Sequence, residues 1–433
     1  MSLTTIGIIG ICILFALIFL GMPIGIPMAL IGFVGICVLR GVEAGLTTIA
    51  IVPFRQASLY IISAIPLFIL MGYLAANSGL SRDAFYAANK WIGHTRGGLA
   101  VSTIAGCAAF GAVCGDILAS AATMCTVSLP EMRRYNYSDK LSLGCIAAGS
   151  NLSFLIPPSI GFIIYAILTE ESIGMLFTAG ILPGILLAIS FALVVLIVCR
   201  IDPSLASTGP RADWKERLAA IKLVWGFAVL IVMVLGGIYG GIFTPTEAGA
   251  AGVFGTVVLG LVNRRLTWQV IGASFRDTAS LTGMIFVLII GATVFSRFLT
   301  ATEIPLALAN YIAELTLPPH LILAFVLVVY ILIGFVMDII AVIMLVAPII
   351  HPILVSLGFD PILIGVLTIV TIIMGHISPP FGIVVFALAG VVRDVPLFTI
   401  FRGALPFLGA MLIVLILLVV FPEITLFLPD LMR

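Results

Sequence analysis

The chain has 433 residues, of which 62% are hydrophobic and 9% charged, with a net charge of +1; an average soluble protein carries about 25% charged residues. So little polar surface excludes a soluble globular enzyme, a disordered chain and a secreted disulfide scaffold. Apolar runs of about 20 residues recur along nearly the whole sequence, the mark of an all-α polytopic membrane protein, and without strand-like alternation a transmembrane β-barrel is excluded.

In chain order, the opening MSLTTIGIIGICILFALIFLG lacks a basic leader and a small-residue cleavage site, so it is expected as a retained first helix. Two spans are predicted over 4–39, an interfacial stretch over 41–56, and a long span over 57–77. The segment 82–96, with Lys90, Trp91 and Arg96, suits a helix resting on lipid headgroups. A Gly-interrupted apolar stretch (98–129) follows, then a broken span (141–168) and a closing span (174–199). The polar linker RIDPSLASTGPRADWKER (200–217) comes next. The second half runs through two spans over 222–262, an interfacial stretch (264–278), a long span (280–299), an apolar stretch (320–351), a broken span (362–390) and a closing span (400–421). The stretches 98–129 and 320–351 begin and end on the same side and read as re-entrant hairpins, which are tolerated only where bent backbone is buried or lines a cavity.

The order of landmarks repeats. Pro130, Asp116 and Pro157-Pro158 match Pro352, Asp338 and Pro379-Pro380, each 222 residues on. Gly180 and Pro183 match Gly403 and Pro406 with one residue of drift, and IGFVGICVL (31–39) matches AGVFGTVVL (251–259). The chain therefore reads as two copies, 1–200 and 222–433, joined by a cytoplasmic linker over 201–221. Basic loops of the first copy (82–96, 131–140) have counterparts without Lys or Arg (303–320, 354–361), while acidic 169–175 faces a counterpart carrying Arg393 and Arg402. The positive-inside rule then gives the copies opposite orientations, with the site near the midplane where they meet and both chain ends outside.

GSNLSFLIPPSIGF (149–162) and GHISPPFGIVVF (375–386) place paired prolines inside apolar spans. Proline removes a donor and frees a carbonyl one turn back, so each pair should unwind the helix and offer carbonyl and Ser oxygens to an alkali cation; the bland alternative is two simple kinks. Asp116 and Asp338 fall at the hairpin centres. Intramembrane carboxylates are costly and functional by default, as contacts to substrate, cation or proton; otherwise each caps a half-helix. His376 reads as packing, Glu247 as a helix cap and Arg297 as a snorkelling residue. The cysteines at 12, 37, 107, 114, 125, 145 and 199 read as small apolar residues, and the four histidines form no metal motif. No catalytic constellation is present, so no enzyme is expected, and no basic block invites nucleic acid. An antiporter-like respiratory subunit would need a row of intramembrane Lys and Glu, which the chain lacks.

GIYGGIFTPTEAGAAGV (237–253), PLFILMGYLAANSGL (66–80), GGLAVSTIAGCAAFGAVCGD (97–116), IPPSIGFIIYAI (156–167), GFVMD (334–338) and the GxxxPP run at 375–380 resemble, in order over most of the chain, the large membrane subunit of TRAP (tripartite ATP-independent periplasmic) transporters. The resemblance implies an elevator-type secondary transporter of the bacterial inner membrane, coupled to Na⁺. A periplasmic binding protein would deliver a small organic acid, and a separate four-helix membrane subunit would brace the scaffold. By motif, one sodium site would draw on Gly111, Cys114, Ser153, Ile156 and Pro157, and a second on Gly334, Gly375, Ser378 and Phe381, mostly through main-chain carbonyls. Asp338 matches an acidic residue associated with transport in that family. The first hairpin departs from the family's SGSS or SGSA, reading Cys114-Gly115-Asp116-Ile117. A thiol is a poor sodium ligand, and Asp116 would repel a bare dianion and favour a substrate offering a hydroxyl or amine. The competing expectation is a proton-coupled or binding-protein-independent carrier of related fold.

Overall fold

The computed structural model describes residues 2–209, 211–314 and 317–432, and among them every regular element is helical. Among the described residues, seven helices are long and apolar enough to cross a membrane, and Asp139–Leu155 with Ile160–Thr169, bent by 42°, makes an eighth if taken as one span. The chain is a multi-pass membrane protein.

The helices recur in order. The first hairpin, Gly98–Cys114 and Ile117–Arg134, has its counterpart in Pro319–Gly334 and Ile339–Ser356. The first broken span, Asp139–Ser150, Leu152–Leu155 and Ile160–Thr169, is matched by Pro361–Gly375 and Ile383–Val391. Ile173–Ile201 and Leu397–Val420 close the two halves.

Three boundaries differ from the sequence reading. Each hairpin's second arm runs past the expected ends at 129 and 351, through Pro130 or Pro352, to Arg134 and Ser356. The linker is shorter, because Asp213 caps Trp214–Tyr239 through a 2.8 Å bond from the Trp214 amide. The interfacial stretch and long span of the second half are one continuous helix, Trp268–Ala301, of 34 residues. Its first-half counterpart is broken: Val42–Ala57 ends at Ser58, and a short turn precedes Ala64–Asn77. Pro66 falls in the first turn of Ala64–Asn77, where a missing amide suits a helix start, and 222 residues on the sequence has Leu288; Pro53 lies within Val42–Ala57 and does not break it.

Two close crossings organise the packing. Gly25–Arg40 lies against Trp268–Ala301 so tightly that a Cβ on Gly32 would stand 2.7 Å from the Val294 carbonyl carbon and the Phe295 nitrogen. Asp139–Ser150 meets Leu397–Val420 through Gly144 and Gly403, where a Cβ on Gly144 would stand 2.8 Å from the Gly403 Cα. The expected surface helix forms as Leu80–Ile92, but it buries Leu80, Ala84 and Phe85 against the first hairpin rather than lying only on headgroups. Asp83 ties it to Arg265.

Candidate transport site

The first hairpin turns at Gly115, which takes the left-handed conformation (φ 64°) that favours glycine, and its amide donates to the Gly111 carbonyl at 2.9 Å. Asp116 then adopts extended backbone and caps Ile117–Arg134, accepting from the Ala119 amide at 2.6 Å. Facing this turn, the first broken span loses helical geometry after Leu155. Ser159 restarts it: its hydroxyl donates to the Phe154 carbonyl at 2.6 Å and accepts from the Phe162 amide at 3.4 Å. Turn and break touch, because the Ile160 amide donates to the Gly115 carbonyl at 3.5 Å. Both Pro157-Pro158 and Pro379-Pro380 bonds are cis.

Gly111 lies directly against Ser153; an added Cβ would stand 2.7 Å from the Ser153 Cα and Oγ. The Ser153 hydroxyl and both polar atoms of the Asn151 amide are buried with no hydrogen-bond partner among the described residues. Buried polar groups are normally paired, so such orphans ask for a water or an ion. Oxygen donors of this type suit a hard cation. Cys114 is buried, and its carbonyl oxygen would stand 2.7 Å from a Cβ on Gly72. Pro157 is buried and Ile156 partly exposed.

The second half repeats the arrangement. Asp338 caps Ile339–Ser356 by accepting from the Ile340 amide at 3.1 Å. Gly334 and Gly375 meet backbone to backbone: a Cβ on Gly375 would stand 2.7 Å from the Gly334 carbonyl carbon and 3.0 Å from its oxygen. Ser378 is buried, but its hydroxyl donates to the Met374 carbonyl at 2.7 Å. Phe381 is 56% exposed, so its main chain, not its ring, is what it can offer a cation. His376 has Nδ1 2.9 Å from the Ile372 carbonyl, while Nε2 is buried without a partner among the described residues.

The fold thus brings Gly111 to Ser153 and Gly334 to Gly375. Asp116 and Asp338 interact electrostatically with each other, and Asp338 with His376. Both carboxylates do act as caps, a geometry that leaves their remaining lone pairs available for a ligand. Glu247 is a cap too, in a complete capping box with Thr244.

Sequence reasoning passed over two features. Asn151 was legible as an amide inside GSNLSFLIPP. The other is a buried chain in which the Tyr165 hydroxyl lies 2.7 Å from His351 Nδ1 and His351 Nε2 lies 3.5 Å from Glu171. It joins residues 186 apart, which no local pattern announces. Glu171 lies in the loop after Thr169, where burial first and the charge of Asp360 second push its carboxyl upward.

A family model described as the tripartite ATP-independent periplasmic transporter DctM component matches residues 11–424. The chain is 37% identical over 385 residues to a C4-dicarboxylate TRAP transporter large permease of Pseudomonas aeruginosa, covering 88% of this chain and 89% of the relative. It is 36% identical to the ectoine TRAP large permease TeaC of Halomonas elongata, covering 96% and 97%. It is 31% identical to the isethionate permease DctMQ of Oleidesulfovibrio alaskensis, covering 96% of this chain and 66% of that one. Among solved structures, the Alcanivorax borkumensis YdaH transporter shares the fold, with a TM-score of 0.62 at 15% identity over 88% of this chain and 89% of that one.

Proposed function

Because the chain belongs to the DctM family of TRAP transporters, we propose that it is the large permease of a sodium-coupled importer of a small organic acid in the bacterial inner membrane. The observation that carries the sodium reading is the doubled contact between hairpin and broken span. Gly111 meets Ser153 in one half and Gly334 meets Gly375 in the other, with orphaned oxygen at Ser153 and Asn151 beside the first. Close glycine approach brings main-chain carbonyls from two elements to one point, and the side-chain oxygens complete a hard-cation environment. Gly111, Cys114, Ser153, Ile156 and Pro157 form the first site, and Gly334, Gly375, Ser378 and Phe381 the second.

The substrate is a carboxylate, a sulfonate or a zwitterion. It sits between the hairpin turns, where Asp116 and Asp338 meet its hydroxyl or amine, and the N-termini of the half-helices after the Pro-Pro breaks, Ile160–Thr169 and Ile383–Val391, meet its acid group. The 222-residue recurrence of helices and the reversed charge bias support inverted repeats that move as an elevator against a scaffold. A periplasmic binding protein supplies the substrate and a four-helix subunit braces the scaffold. The larger DctMQ relative, of which this chain covers 66%, leaves room for such a subunit in one polypeptide.

Thermal unfolding of the purified chain in Na⁺ against equal K⁺ or choline tests this reading. A ligand that binds only the folded state adds about 2.7 kcal/mol at a hundredfold excess over Kd. A Na⁺-specific rise in Tm, lost in Ser153→Ala, is expected. Equal Tm in all three salts, with transport abolished by Asp338→Asn, would favour proton coupling at the carboxylates.

A further inference from the structure

Arg217, in the first turn of Trp214–Tyr239, is 9% exposed. Its Nε and Nη2 are shut off from solvent with no hydrogen-bond partner among the described residues. The acids beside it in sequence are engaged elsewhere: Asp213 caps the helix, and Glu216 pairs with Lys90 at 3.0 Å. The guanidinium lies instead over two indoles, 5.8 Å from the Trp91 ring and 5.3 Å from the Trp214 ring. These rings meet edge to face, and the Trp91 Nε1 donates to the Arg217 carbonyl at 3.3 Å. Cation–π contact recovers part of what desolvating a guanidinium costs, and the unused N–H groups still call for an anion.

The surroundings identify that anion's source. The foot of Trp214–Tyr239 and the start of Trp268–Ala301 carry tryptophans 65% and 87% exposed, at the headgroup position that indoles favour. Lys215, Lys222, Arg264, Arg265 and Arg82 give this end a basic excess, which the positive-inside rule assigns to the cytoplasmic leaflet, where anionic lipids gather. Beside the surface helix Leu80–Ile92, a cleft of about 400 Å³ is lined by Arg82, Lys90 and Glu131 together with Phe85 and Leu99, two basic groups to one acid over an apolar floor.

We propose that the junction of Leu80–Ile92 with Trp214–Tyr239 binds the phosphate of an anionic phospholipid from the cytoplasmic leaflet, with Arg217 as its ligand and Trp91 and Trp214 as its walls. Trp214 is the movable wall, and its displacement opens Nε and Nη2 to two phosphate oxygens, the fork geometry that arginine offers.

The test is thermal unfolding of the purified full chain titrated with phosphatidylglycerol, phosphatidylcholine or inorganic phosphate, repeated in Arg217→Gln, Arg217→Lys and Lys222→Gln. Phosphatidylglycerol alone should raise Tm, with apparent affinity falling at least tenfold in Arg217→Gln, less in Arg217→Lys, and under twofold in Lys222→Gln. If Arg217→Gln does not fold, the Arg217→Lys result decides, because it keeps the charge and loses the fork. Equal effects of the two lipids, or an unchanged response in Arg217→Lys and Arg217→Gln, would overturn the site. A shift with inorganic phosphate alone would make it a free-anion site and overturn the lipid assignment. Stabilisation seen only when a partner membrane subunit is co-purified would assign the guanidinium to a partner carboxylate instead.

Discussion

The two proline-broken spans share their chemistry and differ in their cover. Around the first, Pro157 and Pro158 are buried, and the hairpin turn at Gly115 closes on the Pro158 carbonyl, which would lie 2.9 Å from a Cβ there. Around the second, Pro379, Pro380 and Phe381 are exposed, and the opposing hairpin presents Val336 at 46% exposure. Access to such a break is thus set by what packs over it, not by the break itself. The first break is closed over by a hairpin turn, whereas the second lies at an exposed edge.

The largest expected effect compares the two hairpins directly. Gly111→Ala puts a methyl 2.7 Å from Ser153 backbone, whereas the nearest atom to a methyl at Gly334 is the Ile372 carbonyl oxygen at 3.2 Å. Overpacking against backbone costs about 1–3 kcal/mol, so Gly111→Ala should lower Tm markedly and abolish Na⁺ stabilisation, with Gly334→Ala milder on both. Equal losses would mean the covered and open sites are packed alike.

Serine sharpens the contrast next. Ser378→Ala removes a satisfied bond to Met374 but keeps the main-chain carbonyl that Ser378 would offer the second site, so it should cost about 1 kcal/mol in K⁺ and Na⁺ alike. Ser153→Ala removes an orphaned hydroxyl; it should leave stability in K⁺ unchanged or raised and lose only the Na⁺ increment. A Ser153→Ala protein that melts lower in K⁺ would show the hydroxyl to be satisfied without the cation.

The carboxylates come third. Asn caps a helix about as well as Asp, whereas Ala costs about 1 kcal/mol. Asp116→Asn and Asp338→Asn should therefore keep Tm within about a degree while transport of a hydroxylated or amino substrate falls at least tenfold. Full transport in both would leave the caps as their whole role.

The smallest effect is a control remote from both breaks. The Glu216 carboxylate, hydrogen-bonded to Lys90, raises that ammonium's pKa, so the pair's contribution is complete below the unfolded lysine value and is lost as pH rises through the folded one. With Glu216 half exposed, the contribution stays under about 1 kcal/mol. Glu216→Gln should flatten this alkaline slope in Tm without altering the Na⁺ response.

Much of this was legible because membrane burial forces regular patterns. The apolar runs, the two hairpins and both Pro-Pro breaks follow from residues whose backbone effects are local, and Gly111, Ser153, Gly334 and Gly375 were named only through the family resemblance, whereas the Gly144–Gly403 crossing was not foreseen. Asp116 and Asp338 were legible as intramembrane acids, but only the backbone shows that both cap helices. The continuity of Trp268–Ala301 was missed because an apolar run flanked by a polar one reads alike whether the helix bends or not. The Tyr165–His351–Glu171 chain and the covering of Pro158 depend on contacts between distant segments, which periodicity does not encode.

The crossing of Gly144 with Gly403 also bears on how the molecule is made. Leu397–Val420 is among the last segments to be synthesised, yet it seats by backbone contact on a helix completed about 250 residues earlier. The first half therefore completes this contact only once the last long helix of the second half has been made.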